Sequence, residues 1–245
     1  MPLTPMLLLS LIQGITEFLP VSSSGHLNLF QSFLNITPSL SFDVFLNTAT
    51  LFSVIFVFRR QLKDFFKNLS LIALGTLPAA LIGLLFSSPI DSIFSQTQYL
   101  PLFFLFTSIL LFSLKFIKTK NQPFTPLKVL IIGLFQALAL FPGVSRSAAT
   151  LFAALLVGLS PQSAFKFSFY LFIPASLGAL LLNIDKINSL SLSSFQPLPS
   201  LTGFLTAFLV GVLCLHLLLR LLISRRLWLF GFYTLSLACL ILFFV

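Results

Sequence analysis

Residues 17–26 read EFLPVSSSGH and hold the only glutamate of the 245-residue chain, Glu17, three consecutive serines and one of two histidines. The residues before it, MLLLSLI (6–12), are apolar. Pro20 removes a backbone donor and disfavours helix at the residue before it. An apolar helix therefore enters this stretch, breaks, and restarts after it. The composition says what kind of protein carries such a break. The chain is 58% hydrophobic and 8% charged, with mean hydropathy +1.09. A soluble domain carries about 25% charged residues. These side chains cannot cover a water-facing surface, and the expected fold is an all-α polytopic integral membrane protein. The long apolar runs, such as Leu100 to Leu114 and Leu227 to Val245, lack the alternation of a membrane barrel.

The net charge of +9 points to membrane orientation and not to nucleic acid. Eleven of the fourteen Lys and Arg fall in three groups: Arg59, Arg60, Lys63 and Lys67; Lys115, Lys118, Lys120 and Lys128; and Arg220, Arg225 and Arg226. The positive-inside rule places all three in the cytoplasm. Cys214 and Cys239 sit in apolar runs and read as reduced packing residues. The N-terminal MPLTPMLLLSLI has no basic stretch and does not read as a cleaved signal.

Six full transmembrane helices are expected at 42–58, 69–87, 99–117, 161–183, 202–223 and 227–245. The basic groups give one consistent direction to all six. Regions 1–35 and 127–158 must then enter and leave on one face, as re-entrant helix hairpins whose tips lie inside the membrane. Their breaks, LPVSSSG and FPGVSRS, are alike. At an offset of 123 residues Gln13 meets Gln136, Phe18 meets Phe141, Val21 meets Val144, Ser22 meets Ser145 and Ser24 meets Ser147. The expected organisation is a single transmembrane domain, 1–245, of two inverted repeats, 1–122 and 123–245. Their tips would meet near the midplane, where such folds place their sites.

The first tip carries hydroxyls beside an imidazole. Ser22 and Ser23 precede His26 by four and three residues, the spacing of one helix face. That arrangement suits a serine nucleophile with histidine as base or orienting group. The serines, Ser24 included, also suit a helix start, whose free N–H groups bind anions. Glu17 with Gln13 at i−4 suits a hard divalent cation, Mg²⁺ or Ca²⁺. In the second tip Arg146 lies far from any basic group and is flanked by Ser145, Ser147 and Thr150, a cradle for phosphate. The structural alternatives are helix-capping serines and a Glu17–Arg146 ion pair. His216 reads as structural, Asp43 with Asn47 at i+4 as a supporting or capping group, and Lys166 and Lys186 as interfacial anchors.

QGITEFLPVSSSGHL (13–27) and PGVSRSAAT (142–150) resemble the two signature motifs of the undecaprenyl-diphosphate phosphatase family of the bacitracin-resistance type. FDVFLNTATLFSVIF (42–56) and KFSFYLFIPASLGA (166–179) look like further family segments, so the resemblance covers nearly the whole chain. It implies a bacterial inner-membrane enzyme that removes the terminal phosphate of undecaprenyl diphosphate, needs a divalent cation, folds as an inverted repeat and is commonly a homodimer. It places Gln13 and Glu17 on the acidic motif, Ser23 on the nucleophile or phosphate contact, His26 on the family histidine, and Ser145, Arg146, Ser147 and Thr150 on the phosphate-binding motif. Gln13 stands where many members have a second carboxylate, Ser24 where Thr is common, and Ala49 and Ala148 where Gly is frequent.

The expectation is therefore a lipid-diphosphate phosphatase whose cavity opens to the external face. Ser23 attacks with His26 as base, or water attacks oriented by Glu17. A secondary transporter or flippase of a lipid phosphate or anion is the alternative class, because it shares the architecture. A purely structural membrane subunit is the third.

Overall fold

The computed structural model describes residues 3–34, 36, 40–94, 96–118, 120–183 and 197–244. Among them every regular element is a helix. In chain order these are α1 (Leu3–Thr16), α2 (Ser23–Phe33), α3 (Leu40–Phe58), α4 (Leu62–Lys67), α5 (Leu69–Leu85), α6 (Ser87–Phe94), α7 (Leu100–Ser113), α8 (Pro126–Leu138), α9 (Arg146–Leu156), α10 (Pro161–Leu182), α11 (Pro197–Ile223) and α12 (Phe230–Phe244). Large apolar side chains face outward along these helices, among them Leu84, Leu102, Ile109, Leu209, Leu213 and Leu242. That exterior suits hydrocarbon and not water.

Four of the six expected spans are apolar helices of at least 18 residues: Phe42–Lys67, Thr97–Phe116, Pro161–Leu182 and Pro197–Ile223. The other two fall on shorter apolar helices, Leu69–Leu85 and Leu227–Phe243. At 17 residues, α5 is about 25 Å long and at the lower limit for crossing. The short helices α4 and α6 were not expected. Lys186 lies outside the described residues. Lys166 does more than anchor an interface, since its ammonium pairs with Asp64 of α4.

The two breaks become two tips. The helix starts after them lie 123 positions apart, α2 at Ser23 and α9 at Arg146, as do the starts of α1 and α8. The packing follows the same exchange. Helix α1 lies against α11 of the other half and α8 against α5, while α3 packs on α11 and α10 on α5. The α5–α8 crossing is close because it is built from small residues: a Cβ on Gly133 would lie 2.3 Å from the Gly75 carbonyl oxygen. Each tip is held by its own phenylalanine. Phe18 packs edge-on against Phe169 and Phe172 of α10, and Phe141 stacks on Phe103 of α7 with centroids 5.3 Å apart.

The tips touch each other through glycine. A Cβ on Gly25 would lie 2.6 Å from Phe104 Cζ and 3.2 Å from the Gly143 Cα. Gly143 has φ +93°, a conformation that costs other residues free energy. Gly25→Ala should therefore destabilise the protein by about 1–3 kcal/mol through overpacking. Gly178→Ala, whose Cβ meets nothing within 4 Å, should not. Thermal unfolding of the two variants in detergent checks this, and equal midpoints would contradict the tip-to-tip contact.

Candidate active site

Helix α1 ends because Pro20 and a run of turns interrupt it, and α2 restarts with Ser22 as its cap. Ser22 sits at φ 70° and its Oγ accepts from the Gly25 N–H at 3.5 Å. The second tip solves the same problem with Ser145, whose Oγ accepts from the Ala148 N–H at 3.3 Å. Thr107 of α7 braces that turn by donating to the Gly143 carbonyl at 2.8 Å and accepting from the Ser145 N–H at 3.0 Å. The capping role weighed for these serines is thus real for Ser22 and Ser145.

Between the tips lies a cavity of about 530 Å³. Its polar lining comes from both: Gln13, Glu17, Ser22, Ser23 and Ser24 on one side, Gln136, Ser145 and Arg146 on the other, with Asp43 and Asn47 of α3. An apolar wall is contributed by α5, the turn after α8 and α10, through residues such as Ala79, Leu140 and Phe172.

Glu17 is the centre of this site. Its Oε1 accepts from Arg146 Nη2 at 2.8 Å. Its Oε2 accepts from Ser23 Oγ at 2.6 Å and from Gln13 Nε2 at 3.1 Å. Ser23 and Arg146 are the first residues of α2 and α9 and occupy the same place at the 123-residue offset. Their two tips therefore deliver a hydroxyl and a guanidinium to the two oxygens of one carboxylate. The guanidinium also lies over the Phe172 ring, 3.9 Å from its centroid. Its other nitrogen, Nη1, is buried with no hydrogen-bond partner among the described residues.

Three expected site residues do not line the cavity. His26 Nδ1 lies 2.7 Å from the Ser22 carbonyl oxygen, which can only accept, so this nitrogen carries the proton. In the neutral ring Nε2 then accepts from Tyr233 Oη, also at 2.7 Å, and the two rings stack. The imidazole is thereby committed to α12, and the side chain that accepts from Ser23 is the Glu17 carboxylate. Ser147 is fully buried and bonds Ser145 Oγ and the Leu19 carbonyl, at 3.2 and 3.4 Å. Thr150 donates to the Arg146 carbonyl at 2.8 Å and pairs with Ser168 of α10. Both brace the second tip instead of lining the cavity. Asp43, read as a supporting or capping group, lines the cavity and accepts from Gln31 Nε2 at 2.6 Å. Sequence reasoning missed Thr107, Tyr233 and Phe172, whose separation in the chain from the tips leaves no local signal.

A cation at Gln13 and Glu17 is possible on the chemistry of the donors, with one change. Gln13 now offers its amide nitrogen to Glu17 and, at 3.4 Å, to Thr50. A half-turn of the terminal torsion would present Oε1 beside the carboxylate instead. No group of three His, Cys, Asp or Glu comes together among the described residues. Phosphate oxygens would have to complete the coordination.

Fold and site together define a polytopic helical membrane protein with a cavity and a nearly buried Glu17–Arg146 pair at the junction of two broken helices. The family model described as Bacitracin resistance protein BacA matches residues 6–240. A protein of Thermosipho africanus is 43% identical over 98% of both chains. One of Protochlamydia amoebophila is 41% identical over 93% of this chain and 92% of its own. One of Methanococcus maripaludis is 36% identical over 98% of this chain and 99% of its own. All three bear the name undecaprenyl-diphosphatase. The chain belongs to the BacA bacitracin-resistance family.

The Glu17–Arg146 pair is nearly buried, with side-chain exposures of 8% and 14%. Removing either partner leaves the other as an uncompensated buried charge. Glu17→Ala and Arg146→Ala should each cost about 3–5 kcal/mol. The double variant should cost clearly less than their sum. A double-mutant cycle on detergent-solubilised protein checks this, and simple additivity would contradict a coupled pair.

Proposed function

We propose that this protein hydrolyses undecaprenyl diphosphate to undecaprenyl phosphate and inorganic phosphate. It thereby returns the lipid carrier used for peptidoglycan and other envelope polymers and confers resistance to bacitracin. The observation that carries this reading is the meeting of Ser23 and Arg146 on the carboxylate of Glu17, in a cavity with one polar and one apolar side. A diphosphate needs the first side and a prenyl chain the second.

Ser23 Oγ attacks the terminal phosphorus and passes its proton to Glu17. The new Ser23 O–P bond forms as the bond from phosphorus to the bridging oxygen breaks, and undecaprenyl phosphate leaves. Glu17 hands that proton to the departing undecaprenyl phosphate, then takes one from the water that attacks the phosphoserine phosphorus, and returns it to Ser23 Oγ as the Ser23 O–P bond breaks and inorganic phosphate leaves. Arg146 stabilises the phosphoryl oxygens through Nη1 while Nη2 holds Glu17, so positioning and charge supply most of the catalysis.

The lining side chains carry one basic group, Arg146, and two acids, Glu17 and Asp43. They do not neutralise a diphosphate in a medium of low dielectric. A divalent cation, Mg²⁺ or Ca²⁺, held by Glu17 and the turned-over Gln13 amide, would supply that missing positive charge. The same proposal places the protein in the bacterial inner membrane, as a homodimer, with its cavity opening to the external face. Support for the orientation comes from α5 and α10. Each begins near a basic residue, α5 after Lys67 and α10 five residues before Lys166, and cavity residues such as Gly83 and Leu182 lie towards its other end.

Phosphate release from undecaprenyl diphosphate by purified protein in detergent tests the reading. Wild type should turn over, and Glu17→Ala, Arg146→Ala and a chelator should each abolish release. Movement of labelled lipid across vesicles without phosphate release would replace the hydrolase by a transporter. Rapid quenching with substrate labelled in the terminal phosphate should trap label on Ser23. Normal turnover with unlabelled protein would assign the attack to water oriented by Glu17.

A further inference from the structure

Gln136 is the second half's copy of Gln13, yet the two amides have different surroundings. Gln13 donates to Glu17 and Thr50. At the same offset the partner positions are Leu140 and Ile173, which offer nothing to an amide. Gln136 is 2% exposed, and both its Nε2 and its Oε1 lack a hydrogen-bond partner among the described residues. Burying an amide unpaired costs free energy that a leucine there would not. The side chain nonetheless lines the cavity that holds Glu17, Ser23 and Arg146. On the same tip Arg146 Nη1 is the other buried donor without a partner. Two unmatched donors on residues that line one cavity call for an acceptor that the described residues do not supply.

The place of Gln136 says which acceptor. It sits in the last turn of α8, and the residues three and four positions on, Ala139 and Leu140, lie just past the helix end and both line the cavity. Leu140 in turn approaches Gly83 of α5, 3.8 Å from where a Cβ would stand. This is the apolar wall suited to a prenyl chain. The hydroxyl and carboxylate that act on the terminal phosphate belong to the opposite tip. We infer that Gln136 is a substrate-binding residue whose amide N–H donates to the phosphate that stays on the lipid. It contributes the preference for a lipid diphosphate over free phosphate. This inference rests on the hydrolase reading above for the chemistry of its ligand, though not for its location.

Gln136→Leu keeps the volume and removes the donor. The variant should fold with an unchanged or raised thermal midpoint, because no bond within the protein is lost. Its KM for undecaprenyl diphosphate should rise about tenfold or more, as expected for a hydrogen bond to a charged group. Binding of undecaprenyl phosphate, followed directly with labelled lipid and no turnover, should weaken by the same factor. Competition by inorganic phosphate should not change. Gln136→Glu, which keeps the shape and adds negative charge, should bind both lipids more weakly still. Wild-type KM and lipid-phosphate binding in Gln136→Leu would overturn the assignment and leave Gln136 an amide served by water alone. A loss confined to inorganic phosphate would also overturn it. Wild type that binds the lipid phosphate but releases no phosphate would sink the hydrolase reading, and the binding measurement would still decide on Gln136.

Discussion

One carboxylate set against one guanidinium, across the gap between two broken helices, is the constraint on which the rest depends. Glu17 and Arg146 come from different tips, lie 129 residues apart in the chain and meet at 2.8 Å, almost out of reach of water. Neither charge could be buried alone at tolerable cost. The pair is seldom a net source of stability against a well-packed apolar alternative. Its value lies in specification: the tips can meet in one way without stranding a charge. The neighbours follow from that requirement. Ser23 and Gln13 satisfy the second oxygen of Glu17, and Phe172 lends its ring face to the guanidinium. What remains unsatisfied is the other guanidinium nitrogen of Arg146, Nη1, and on the proposed reading that nitrogen is where a phosphate oxygen would be held.

The parts of this fold that were legible in the sequence are those with a local cause. Pro20 and Pro142 lie where helices stop, and the serines after them lie where helices start again. The apolar runs become long helices, because backbone groups in hydrocarbon must pair within their own segment. The two prolines inside α5 and α10, Pro78 and Pro174, show the limit of that reading, for both helices continue through them. The site was legible as a set of residues but not as a set of pairs. A spacing of three or four on a helix places two Cβ atoms on one side and says nothing of what stands opposite. Ser23, at the very start of α2, reaches back to Glu17. His26, one turn on, reaches Tyr233, 207 residues away in the chain. Thr150 likewise follows α10 and not the cavity, because Ser168 lies within reach. Such choices are made by tertiary partners, and one chain read alone does not contain them.

The two halves are alike where they pack and unlike where they meet a ligand. Helix starts, capping serines, anchoring phenylalanines and the exchanged pairing of α1 with α11 and α8 with α5 repeat between them. At the site the copies diverge: Ser23 against Arg146, Glu17 against Leu140, and a satisfied Gln13 against an unsatisfied Gln136. On the proposed reading this divergence has a chemical reason. The two phosphates of a diphosphate are themselves near-equivalents about a bridging oxygen. A site with two identical tips would bind either phosphate in either place and so could not direct attack at one of them. Placing the nucleophile and its base on one tip and the fixed donors on the other removes that ambiguity. The symmetric scaffold then sets the separation of the two subsites, while the substitutions within it decide which phosphate is cleaved and which stays on the lipid.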